Sequence, residues 1–175
     1  DNDPTSIDYE WTINGVNSGS DPIYLYSGFV KGDLVECRLT PDDGYIAGTT
    51  QIASVTIANS IPRIDKNDVD IQPSDPTSRD TVTVSFVATD ADVGDTLSYT
   101  LSWYVDGVWV LDTSDLSMDL SSLGVGGGSE VHALIEAFDG EDYSVPTATA
   151  TLYVDNSAPE VTNVSLFSTT DNDSD

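Results

Sequence analysis

Three observations predict an all-β chain of tandem β-sandwich repeats, the first of them incomplete. Short runs alternate apolar and polar residues, Asn-Gly and Asp-Gly pairs separate them, and one order of runs and turns occurs twice. The clearest run is Leu97, Tyr99, Leu101, Trp103 and Val105, which alternation puts on one face of a strand, with Ser98, Thr100, Ser102 and Tyr104 on the other. Asp106-Gly107 follows, a dipeptide suited to a hairpin turn in which both central residues take positive φ. Residues 7–15 repeat this unit, with Trp11 on Trp103, Ile13 on Val105 and Asn14-Gly15 on Asp106-Gly107. Val35, Cys37 and Leu39 then fall on Val131, Ala133 and Ile135, and Asp43-Gly44 on Asp139-Gly140. Asn59-Ser60-Ile61-Pro62 matches Asn156-Ser157-Ala158-Pro159, 97 residues on.

Lettering one sandwich A to G, residues 1–59 supply strands C to G and neither A nor B. Residues 60–156 form a complete module. Strand A lies around 69–71, B runs through Val82, Val84, Phe86 and Ala88, and C carries Trp103. C′ covers 108–111, E holds Leu116, Met118 and Leu120, F covers 131–137 and G covers 148–154. Gly126, Gly127 and Gly128 break E from F, and the prolines of both linkers end the strands before them. Residues 157–175 read as a further strand A with Val161, Val164 and Leu166. This frame is a window on a longer tandem chain, or else a subunit whose Val161, Val164 and Leu166 form a strand-exchange interface with a neighbouring copy.

Charge narrows the partners. The chain has 25 aspartates and 6 glutamates against 5 basic residues, a formal net charge of −26. Nucleic acid and anionic lipid need a basic footprint and are excluded as partners. No apolar run approaches the length of a membrane span, so no membrane insertion is expected. Asp1-Asn2-Asp3-Pro4 does not read as a signal peptide. Aspartate-rich loops suit either a solvated acidic surface or Ca²⁺, whose hard ligand shell takes short carboxylates. The single cysteine, Cys37, falls on the inward register of strand F and reads as a buried, inert thiol. His132, the only histidine, points away from the core with no nucleophile motif beside it, so no catalytic residue is assigned and no enzymatic activity is expected.

With these residues in view, the chain resembles the tandem Ig-like repeats of large secreted bacterial and archaeal surface proteins, which shade into PKD-like and cadherin-like domains. The carrying motifs are D-x-D-x-x-D-T-L-S-Y at 90–99, W-x-V-D-G at 103–107, K-G-D-x-V-x-C-x-x-T-P-x-D-G at 31–44, and N-S-x-P at both linkers. Asp90-Ala91-Asp92 is similar to the cadherin D-x-D loop, Ala137-Phe138-Asp139-Gly140 to its A-x-D-G segment, and Asp155-Asn156-Ser157-Ala158-Pro159 to its linker. The chain departs from cadherins in having no L-D-R-E segment and Ala58 ahead of the first linker, and from PKD domains in having no W-D-F-G-D-G. The resemblance implies an extracellular or cell-surface stalk, spacer or fibre whose partners are adjacent repeats or neighbouring copies of the same protein.

In an Ig-type sandwich the B–C and F–G loops share one end. Asp90, Asp92 and Asp95 are thus expected beside Asp139, Glu141 and Asp142, where Asn59-Ser60 arrives from the preceding module. Converging carboxylates repel unless a cation sits among them, so Ca²⁺ is expected to stiffen that junction, one ion per junction. The equivalent set in the first module is Asp1, Asp3, Asp42 and Asp43, and Asn59, Asp155 and Asn156 are the linker ligands. The alternative is an adhesive or glycan-binding module using loops or a sheet face, with Trp109, Tyr24, Tyr26, Tyr104 or Tyr143 as stacking rings. Asn163-Val164-Ser165 and Asn172-Asp173-Ser174 are glycosylation sequons.

Overall fold

The computed structural model describes residues 5–24 and 26–166, and the fold is all-β. Strands β1 (Ser6–Ile13), β2 (Val16–Gly19), β3 (Leu34–Asp42) and β4 (Gln51–Thr56) form an antiparallel sheet in the order β2-β1-β3-β4. Next come β5 (Arg63–Ile64), β6 (Asp70–Gln72), β7 (Thr81–Ser85), β8 (Ala88–Thr89), β9 (Ser98–Val105) and β10 (Val108–Thr113). The last are β11 (Ser117–Asp119), β12 (Glu130–Phe138), β13 (Thr147–Ala148) and β14 (Leu152–Tyr153). A sheet β10-β9-β12-β13, with β14 also on β12, belongs with a three-stranded sheet β11-β7-β6, and β5 pairs with β8.

Alternation builds the core of the second half. Leu101, Trp103, Val131, Ala133 and Ile135 point inward from β9 and β12, in one cluster with Ile71, Val82, Val84, Met118 and Leu120. Each large aliphatic side chain buried in this way contributes about 1.5–3 kcal/mol, which makes this cluster the main source of cohesion.

The repeat extends to register and hydrogen bonds. Trp11 lies opposite Cys37 as Trp103 lies opposite Ala133, and Ile13 opposite Val35 as Val105 opposite Val131. Both hairpins turn on positive-φ pairs, Asn14 (51°) with Gly15 (77°) and Asp106 (51°) with Gly107 (75°), as the dipeptides predict. The same side chains tie each hairpin to its neighbour strand. Asn14 Oδ1 accepts from the Leu34 N–H at 2.9 Å, and Asp106 Oδ1 from the Glu130 N–H at 2.8 Å.

Four differences from expectation have local causes. No strand forms within 20–24 or 26–33, where an E strand was expected; in the second half E is β11, which needs β7 as its partner, and the first sheet has no such neighbour. Trp103 is fully buried, whereas Trp11 is only half-buried, stacked on Tyr24 at 5.2 Å with its indole N–H donating to the Asp21 carbonyl at 2.9 Å. Strand B is split into β7 and β8, the second part pairing with β5. Strand G is split at Thr149, whose hydroxyl accepts from the Ala133 N–H at 3.0 Å in place of a regular ladder bond.

Candidate junction site

β12 and β9 run antiparallel, so the loop after β12 and the loop before β9 emerge at the same end of the sheet. Asp139 closes β12 as a turn cap: its Oδ1 accepts from the backbone N–H groups of Glu141 and Asp142, both at 2.7 Å. Its Oδ2 accepts from the Asn59 side-chain amide at 2.9 Å, and the same amide donates to Asp142 at 3.0 Å. On the other loop, Asp90 Oδ1 accepts from the Asp92 N–H at 2.7 Å, and Asp92 Oδ2 from the Ser60 N–H at 2.6 Å. Both loops therefore hold the linker, Asp139 and Asp142 through the Asn59 side chain and Asp92 through the Ser60 backbone.

The turn ahead of β3 contributes a cation. Lys31 Nζ donates to Asp95 Oδ2 at 2.8 Å, to Asn59 Oδ1 at 3.0 Å and forms an ion pair with Glu141 at 3.1 Å. Bonds to Asp95 and then Glu141 hold the Lys31 ammonium pKa above the usual lysine range. Asp139, only 6% exposed, has its pKa lowered to about 2, first by the Asp142 N–H and then by the Asn59 amide. The sequence reading missed Lys31. Gly32 and Gly128 occupy the same turn, donating to the Ile57 and Val154 carbonyls at 2.9 and 2.7 Å, so Lys31 stands where the second half has Gly127. That mismatch, a lysine in an otherwise acidic chain, was the available signal.

The donor set of the acidic loop fits a hard cation. One carboxylate oxygen from each of Asp90, Asp92 and Asp95 lies within 4.8 Å of the others. Asp90 Oδ2 is buried with no hydrogen-bond partner, and an anionic oxygen left so is costly unless a cation meets it. Lys31 already meets one oxygen of Asp95, at 2.8 Å.

Among the described residues, Asp43, Asp155 and Asn156 lie apart from this cluster. Asp43 caps its own turn, accepting from the Tyr45 and Ile46 N–H groups at 2.9 Å each, as Asp139 does but without a linker amide. Asp1 and Asp3 lie outside the described residues. Asp155 and Asn156 lie at the opposite end of β12, where the Asp155 N–H donates to the Pro76 carbonyl at 2.7 Å. Asn156 packs so closely on Gly127 that an added Cβ there would meet its Cα at 2.9 Å, which forbids a second lysine. Val161, Val164 and Leu166 are exposed and lie in no strand.

No family model and no curated protein matches the chain. Among solved structures it is similar to the crystal structure of chicken CNTN1 FN1-FN3 domains, at 11% identity and a TM-score of 0.43. The match covers 87% of this chain and 58% of that one, so the chain spans under two thirds of its length. No helix among the described residues is long and apolar enough to cross a membrane.

Proposed function

We propose that the chain is a structural and interaction segment of an extracellular surface protein or filament. It comprises a partial Ig-like module (1–59), a complete one (60–156) and strand A of a further one (157–175), set in fixed relation by the junction. The observation that carries this reading is the linker grip: Asn59 and Ser60 are bonded by Asp139, Asp142 and Asp92, while Lys31 bonds Asp95, Glu141 and Asn59. A free linker would need none of these bonds. Ca²⁺ on Asp90, Asp92 and Asp95 adds a second, reversible lock to the tethered ammonium.

Calorimetry and small-angle scattering across a Ca²⁺ titration test both parts. Expected are a rise in Tm that Asp90→Asn abolishes, and a fixed inter-module distance that persists in chelator and is lost in Lys31→Gln. An unchanged Tm at millimolar Ca²⁺ removes the metal; a broad distance distribution in the wild-type chain removes the spacer.

Strand complementation is the second element of this reading. The inner face of the first sheet carries an open apolar groove of about 190 Å³ lined by Trp11, Val35, Cys37, Ala53 and Val55. Its counterpart in the second half packs against Ile71, Val82, Val84 and Met118, so the occupant is the corresponding strands of a neighbouring repeat, with Val161, Val164 and Leu166 as donors. Sedimentation velocity tests it: self-association that Val164→Asp abolishes is expected, and association that survives this change rules it out.

A further inference from the structure

The outer face of the second sheet is polar in the middle and aromatic at both ends. Register places Tyr104 beside both His132 and Trp109, then Ser102 beside Leu134 and Asp112, then Thr100 beside Glu136, then Ser98 beside Phe138. Tyr104 and His132 stack at 5.1 Å with an interplanar angle of 4°. At the other end Phe138 stacks on Tyr143 at 4.5 Å. Between the platforms Thr100, Ser102, Asp112, Glu136 and Tyr143 line an open groove of about 250 Å³. The two rows lie six steps apart along β9, from Ser98 to Tyr104, roughly 20 Å at the strand rise.

The first sheet is an internal control. The same register positions there hold Thr12 with Glu36, Glu10 with Arg38, Asp8 with Thr40, and Ser6 with Asp42. The sheet forms without a single aromatic on this face, so the rings of the second sheet are not demanded by the fold. Trp109 and Tyr143 are 54% and 59% exposed, and solvating large rings in this way has no folding benefit.

We propose that this face binds a short, uncharged oligosaccharide. The exposed rings of Trp109 at one end and Tyr143 at the other offer stacking surfaces for the C–H faces of sugar rings, while Asp112 and Glu136 accept from sugar hydroxyls and Thr100 and Ser102 donate or accept. Trp109 is held in place by its indole N–H, which donates to Asp112 Oδ1 at 2.9 Å. The Asp112 carboxyl, kept below the usual range by Ser102 and Trp109, stays an ionised acceptor. Two carboxylates in the groove and a chain charge of −26 select against uronic or sulfated glycans. The groove is small and open compared with a small-molecule pocket, which suits an extended chain lying across the strands. The proposal rests neither on the junction reading nor on the metal, although Tyr143 follows Asp142 of the junction loop.

Titration of the chain with cellotetraose, chitotetraose, maltotetraose and laminaritetraose, followed by ¹H–¹⁵N NMR and tryptophan fluorescence, tests it. Saturable shifts centred on 98–104 and 132–143 are expected for at least one sugar. Trp109→Ala and Tyr143→Ala, both at exposed positions, each weaken that binding at least tenfold while the circular-dichroism melt is retained. Absence of saturable shifts for all four sugars in the millimolar range overturns the proposal. So does binding that survives the double variant, or binding confined to a sulfated oligosaccharide.

Discussion

At the residue scale, equivalent side chains have unequal energetic weight because their surroundings differ. Trp103 is fully enclosed, and Trp103→Ala is expected to cost about 3–5 kcal/mol in urea denaturation. Trp11, half-buried on the open sheet, is expected to cost clearly less on the same change. Asp139 links stability to pH. Its folded pKa, about 2, lies below the ordinary 3.8, so its contribution is complete above 3.8 and is lost as pH falls toward 2. Asp139→Asn is therefore expected to destabilise the chain near neutral pH and flatten the decline between those values, read as Tm against pH. Lys31→Gln removes the tethered cation, and the Tm rise produced by Ca²⁺ is expected to be larger in this variant than in wild type.

At the element scale, the hairpins are held by their turns as much as by pairing. Gly107 has a φ of 75°, and Gly107→Ala is expected to destabilise by about 1–2 kcal/mol, measured by denaturation, because a Cβ in the left-handed region crowds the following carbonyl. Turn type and strand identity were legible in the sequence because both depend on neighbours a few residues away. The missing E strand in the first half was not, since β11 exists only through β7. The breaks at 86–87 and Thr149 depend likewise on partners distant in the chain.

At the scale of the whole molecule, the junction bonds link residues of the two halves that lie far apart in the chain. Asn59 lies 80 residues from Asp139, and Lys31 lies 64 from Asp95, so each bond fixes the first half against the second. Screening acts on exposed pairs: raising salt is expected to broaden the inter-module distance distribution in scattering for wild type, whose Lys31–Asp95 and Lys31–Glu141 pairs it weakens, and to change it little further in Lys31→Gln, which lacks them. A net charge of −26 makes copies of the chain repel one another at low salt.

By itself the sequence determined the all-β class, the repeat, the hairpin turns and the loops that carry the acidic cluster, because alternation and turn chemistry are local. Only the tertiary structure decided how that cluster is used. It brought Lys31 to Asp95 and Glu141, gave Asn59 to Asp139, and left Asp90 Oδ2 buried without a partner. It also set two aromatic platforms at either end of a polar groove, from rings that alternation alone marks only as outward-facing. The physical reason is the same in both cases. Charge pairing and ring stacking are decided by distances in space, and strand order brings together residues that the chain keeps far apart.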